Sequence, residues 1–222
     1  MRTAFVAQLA EVEQQLEQAL REVPPALAMA AAANPPAADP LAELLAAEAL
    51  RLRTRCRSAD ATLVTIAACQ APVASDLRLL LALLQLSRHA MLIANQLRMI
   101  GGQLDEIGPA AHLSAETGRQ LVQMIVLAGA QLDAAITAFC ARRPDAAAQI
   151  DVQDSGLDRL NRELFADARD LEGSATRRGV AMRHMLIARS LERIGDNALG
   201  IARQAGFVVD GHRSSPASAP GP

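Results

Sequence analysis

The stretch Arg189-Ser-Leu-Glu-Arg-Ile-Gly-Asp-Asn-Ala-Leu-Gly-Ile-Ala-Arg203 combines apolar periodicity with paired carboxylates on one helix. Val180, His184, Ile187, Leu191, Ile194, Ala198 and Ile201 recur at alternating spacings of four and three, the seam of a helix packed in a bundle. At about 100° per residue, Glu192 and Asp196 fall roughly 160° to either side of the Ile194 direction, so they neighbour each other on the outer face. Like charges one turn apart repel unless Arg189, on the same face, or a cation offsets them. The bland alternative is a solvated face carrying ordinary Arg–Glu pairs.

Working outward, the composition supports helices throughout. Ala and Leu dominate, Tyr and Trp are absent and only four Phe occur, which leaves little for strands. All 22 basic residues are Arg, balanced by 24 acids, so a net charge of −2 gives no nucleic-acid footprint. Cys56, Cys69 and Cys140 are odd in number and widely spaced in apolar helical context, which predicts buried thiols in a reducing compartment. The N-terminus reaches acids before an apolar signal core develops, and no uncharged run approaches a membrane span, so a cytoplasmic location is expected.

Periodicity predicts six helices. The first runs from Thr3 to about Val23, stopped by Pro24-Pro25, and residues 24–38 form a loop or a short extra helical piece. Asp39-Pro40 starts the second, with the seam Leu45, Ala49, Leu52, Cys56, Ala59, Leu63, Ile66 and the basic run Arg51, Arg53, Arg55, Arg57. The third carries Leu79, Leu83, Leu86, Ala90, Ile93, Leu97 and Ile100, ended by Gly101-Gly102. Ser114 caps the fourth, the fifth runs from about Pro144 to Leu171, and the sixth is the opening stretch. With an offset of 101 residues the sixth seam lies on the third, which predicts an internal duplication. The fold class is therefore all-α: two tandem antiparallel three-helix bundles related by a pseudo-twofold, at 1–105 and 106–210, with a disordered tail at 211–222.

Two signals, Pro72-Val73-Ala74-Ser75-Asp76-Leu77-Arg78 and Leu191-Glu192-Arg193-Ile194-Gly195-Asp196, resemble the PhoU family of phosphate-signalling regulators. The similarity extends over roughly residues 5–205 and includes Asp154 and Asp158. It implies two three-helix bundles whose Glu/Asp-x-x-x-Asp motifs hold surface metal clusters. In this chain it implies a metal site of Glu192, Asp196, Asp154, Asp158 and Asp151 in the second bundle, taking Fe, Zn, Mn or Mg through hard carboxylate oxygens. His184 falls on the seam and reads as a core or boundary histidine.

The first bundle departs from that pattern. Met91 stands where the family has the acid and Asn95 where it has its partner, and the basic run contains no acid before Asp60. Leu77, Leu80, Leu84 and Met91 face away from the third helix's seam, so that helix is apolar nearly all round and buried twice, by its own bundle and by the other bundle, a second subunit or a partner. Leu80, Leu84, Met91 and Arg88 are the candidate partner interface.

By resemblance, the expected function is a non-enzymatic negative regulator of phosphate uptake and phosphate-starvation signalling. It would link a phosphate ABC transporter's ATPase to a sensor histidine kinase as a homodimer, reaching the membrane only through partners and binding no nucleic acid. The alternative is a structural helical adaptor or dimerisation protein that has lost metal-dependent regulation. A metal-dependent hydrolase using the acidic cluster lacks a base and a substrate pocket.

Overall fold

The structure, a computed structural model, describes residues 2–32, 38–70, 72–107, 115–169 and 174–211. Seven helices follow one another: α1 (Arg2–Arg21), α2 (Val23–Ala32), α3 (Ala38–Gln70), α4 (Ala74–Ile107), α5 (Ala115–Cys140), α6 (Ala146–Arg169) and α7 (Ala175–Asp210). No strand occurs among the described residues.

Contacts sort the long helices into two triplets, α1–α3–α4 and α5–α6–α7, joined along α4 and α7. Of the two expectations for the segment that begins at Pro24-Pro25, a loop or a short extra helical piece, the helical piece is the one observed. The chain breaks at Glu22 and resumes as α2, which lies mainly on α5 and so straps the first triplet to the second. Prolines are tolerated there because the first-turn N–H groups of a helix lack partners in any case.

Helices α4 and α7 pack antiparallel. Near the start of α4, Arg78 Nε donates to the Val208 carbonyl at 3.3 Å. At its other end Gln103 accepts from Arg183, which also pairs with Glu106. Between these lies the His89 Nδ1–Asn197 Oδ1 contact of 3.0 Å. The helices begin at Ala74 and Ala175, 101 residues apart, in the register of the repeated seam.

Burial obeys that register. Leu86 and Ile187, Ala90 and Leu191, Ile93 and Ile194, Leu97 and Ala198, Ile100 and Ile201 are all buried. The same offset pairs Cys56 with Leu157, Ala59 with Leu160 and Leu63 with Leu164 on α3 and α6, again all buried. These side chains belong to one continuous apolar core that crosses from one triplet to the other. Each large aliphatic residue so enclosed contributes about 1.5–3 kcal/mol of burial free energy.

Three expectations are corrected. Gly101-Gly102 do not end the third helix, which continues to Ile107. A Cβ at Gly101 would stand 3.0 Å from the Ala42 carbonyl oxygen, so this glycine serves close packing of α4 on α3, not a cap. Cys69 is exposed and Cys140 half-buried, leaving Cys56 as the fully buried thiol; burial pushes Cys56 up to about 11 and Cys140 to about 12. Among the candidate partner residues, Leu80 is only 2% exposed, and Leu84 and Met91 are partly buried against the core. The second bundle's α7 lies along α4, so Leu80 is not a surface for another protein; Arg88 is exposed.

By length and hydropathy alone α4 and α5 would pass as membrane spans; in this fold about half of each apolar window is buried in the protein core. A search for uncharged runs overlooks them because each window tolerates isolated charges. The helix α7 ends on Gly211, whose φ of 73° is the left-handed conformation that glycine adopts freely and whose N–H donates to the Phe207 carbonyl. The expected Ser114 cap, the final residues of the fifth helix and the tail at 212–222 lie outside the described residues.

Candidate functional site

The acidic motifs meet along the junction of α6 and α7, near the midpoint of α7. Helix α7 packs against α4, α5 and α6, so its wheel has no single outer face. Glu192 is accordingly 9% exposed, not on an open surface as its angle to Ile194 predicted. Burying a carboxylate requires compensation. Arg189 supplies it through Nη1 at 2.5 and 2.6 Å from the two carboxylate oxygens, and the Asn161 amide on α6 donates to Oε2 at 2.5 Å. The first of the two offsets anticipated for the pair, Arg189, is thus present.

The other carboxylates separate into two groups. Asp151, exposed at the edge, pairs with Arg203 at 3.4 Å. Asp154, Asp158 and Asp196 instead sense one another. Burial, followed by the charges of Asp196 and Asp158, pushes Asp154 up to about 6. Asp196 is also raised, first by burial and then by Asp158. Arg189 feels Asp196 and Asp158 beyond its bond to Glu192.

Gln131 of α5 completes this junction. It is 1% exposed, its Nε2 donates to Asp154 Oδ1 at 3.4 Å, and its buried Oε1 has no partner. Gly195 makes the approach possible, since a Cβ there would stand 2.6 Å from Gln131 Oε1 and 2.8 Å from both Asp154 Oδ1 and Leu157 Cδ1. Neither Gln131 nor Asn161 carries a sequence signal for such a role, since the first is one neutral side chain inside an apolar run and the second one neutral side chain among charged ones. The motif glycine was visible, but its purpose needed the neighbouring helices.

As arranged, these residues do not fit a bound metal ion. Glu192 is committed to Arg189 and Asn161, Asp151 lies with Arg203, and among the described residues no three His, Cys, Asp or Glu side chains are grouped to ligate one. The structure therefore brings Asp154, Asp158 and Asp196 into electrostatic contact and diverts Glu192 and Asp151 to arginines.

The equivalent groove of the first bundle, between α3 and α4, has the opposite charge. In the register of the duplication, Asp154 and Asp158 correspond to Arg53 and Arg57, Glu192 and Asp196 to Met91 and Asn95, and Arg189 to Arg88. Arg53 Nη1 donates to Asn95 Oδ1 at 3.3 Å, crossing from α3 to α4. Elsewhere on α3, Arg51 is committed to Glu48, a carboxylate only 2% exposed in the cleft between α1 and α3.

The two described histidines, His89 and His184, serve packing. His184, as expected, is a boundary residue, its Nδ1 2.8 Å from the Val180 carbonyl and burial lowering its pKa. His89 seats against Gly200, where a Cβ would stand 2.3 Å from the imidazole, and burial lowers it too.

Comparison with known proteins is consistent with this architecture. A model of the PhoU domain matches residues 121–205. The chain is 28% identical to the phosphate-specific transport system accessory protein PhoU homolog 1 of Mycobacterium leprae, over 100% of this chain and 99% of that protein. It is 29% identical to PhoU homolog 2 of Mycobacterium tuberculosis, over 95% and 99% respectively. The crystal structure of the phosphate transport system regulatory protein PhoU from Streptococcus pneumoniae superposes with a TM-score of 0.79 at 21% identity, covering 96% of this chain and 100% of that one. PhoU from Pseudomonas aeruginosa gives 0.64 at 22%, covering 95% and 96%.

Proposed function

We propose that this chain is a member of the PhoU family and acts as a cytoplasmic accessory regulator of a phosphate transport system. In this reading it represses phosphate uptake and the phosphate-starvation response by contacting the transporter's ATPase and a sensor histidine kinase. The observation that carries it is the end-to-end agreement with phosphate-specific transport system accessory proteins, across both halves of the duplication.

The chemistry is that of a binding protein. Both described histidines, each half-buried, are engaged in helix packing, and the buried Glu192 carboxylate is neutralised by Arg189. The exposed surface of two charged grooves suits recognition of other proteins. A second reading, a helical adaptor without metal-dependent control, is favoured by the arginine and methionine substitutions in the first groove and by the commitment of Glu192 to Arg189 and Asn161.

Deleting the gene tests the regulatory role: phosphate-starvation genes should become active in phosphate-replete cells, and continued repression would contradict it. Capture of the transporter ATPase and the kinase by the tagged full chain, lost on reversing charges in the grooves, would support the partner assignment. Intact repression by a variant that captures neither would contradict it.

A further inference from the structure

The α3–α4 groove carries cationic groups without the counter-charges that the α6–α7 groove uses for its own arginine. Arg189 is answered by Glu192 and feels Asp158 and Asp196. In the repeat, Arg88 takes the place of Arg189, while the three acids become Met91, Arg57 and Asn95. By the register of the duplication, the positions that surround one cation with carboxylates in the second bundle carry arginines and an amide in the first. Arg53 and Arg57 share one stripe of α3 at i and i+4, and Arg88 and Asn95 share one face of α4 two turns apart. The Arg53–Asn95 bond joins the two stripes.

Among the described residues neither Arg57 nor Arg88 has an ion-pair partner, and both are exposed. Asp60 takes the place of Asn161 in the register of the duplication, and among the described residues it forms no ion pair with them. Like charges at this spacing repel, and guanidinium forks match the paired oxygens of a tetrahedral anion. We propose that the α3–α4 groove is a binding site for a tetrahedral oxyanion, held by Arg53, Arg57 and Arg88 beside Asn95. This rests on the contrast between the two grooves and stands independently of the phosphate-transport reading.

The test is calorimetric titration of the full chain at low ionic strength with inorganic phosphate and, separately, with sulfate. The variants are Arg57→Ala/Arg88→Ala and, as a control on the other bundle, Arg193→Ala. Wild type and the control should bind at least one of the two anions saturably, and the double variant should bind it at least tenfold more weakly. Binding of both anions assigns the groove to oxyanions as a class, and binding of phosphate alone restricts that class. Absence of saturable binding to the wild type, or equal binding by the folded double variant, overturns the proposal. Circular dichroism establishes that the double variant keeps its helicity. If it does not, Arg57→Gln and Arg88→Gln are titrated singly, and unweakened binding by both overturns the proposal equally.

Discussion

The two halves of this molecule share their seams and differ in their grooves. Ile93 and Ile194 occupy the same place, both fully buried, whereas Arg53 and Asp154 occupy the same place with opposite charge. Apolar packing in a duplicated bundle constrains shape at each seam position. Charge on the flanks is not so constrained, and the two copies have diverged there. What the fold requires is therefore what the repeats keep, and what they do not share is available for function.

The sharpest way to break that equivalence is at the seam itself. Ile93→Ala and Ile194→Ala should each cost about 2–5 kcal/mol in urea unfolding, because each empties a fully buried site. A large cost at one and almost none at the other would show that the two triplets do not contribute equivalently to the shared core.

A smaller effect is expected where the repeats differ by one methyl. Ala94 occupies the position in α4 that Gly195 holds in α7, and both are buried. Gly195→Ala would drive a methyl group into Gln131, Asp154 and Leu157, for about 1–3 kcal/mol of overpacking. Ala94→Gly should cost only about 1 kcal/mol, mainly through helix propensity. A neutral Gly195→Ala measured by thermal unfolding would mean that α5 and α6 do not press on α7 as described.

The contrast in charge predicts a pH signature in the second groove alone. The carboxyl of Asp154 moves from an ordinary 3.8 to about 6 on folding. Between those values the folded state holds the extra proton, so this group's contribution to stability falls as pH rises through the window and stays unfavourable above it. Asp154→Asn should therefore stabilise the protein at neutral pH by on the order of 1 kcal/mol, with the gain vanishing below about pH 4. Denaturant curves across pH check this, and a variant less stable than wild type at neutral pH would refute it.

Much of the fold was legible because heptad spacing reports directly on burial. The seven seam residues from Val180 to Ile201 and their counterparts on α4 could be aligned by counting, and the offset then revealed the duplication. The errors arose where one helix meets several others. A helical wheel puts Glu192 on an outer face because it assumes one buried side, whereas α7 is enclosed by α4, α5 and α6. Gly101-Gly102 read as a stop because a glycine pair looks the same whether it caps a helix or admits the Ala42 carbonyl. In the candidate site the carboxylates were visible, and so was Arg189 as their offset. Gln131 and Asn161 were not, since a buried amide is recognisable only by the group it bonds.

The central claim is that both grooves hold charges that work against the fold and so answer to something other than stability. It is tested most directly by urea unfolding at neutral pH and low ionic strength of the wild type, Arg57→Ala/Arg88→Ala and Asp154→Asn, side by side. The account predicts that neutralising either groove raises the unfolding midpoint, and that added salt erodes the gain at the arginine groove as exposed charges are screened. A lower midpoint in either variant would contradict it, because that groove's charges would then be serving the structure.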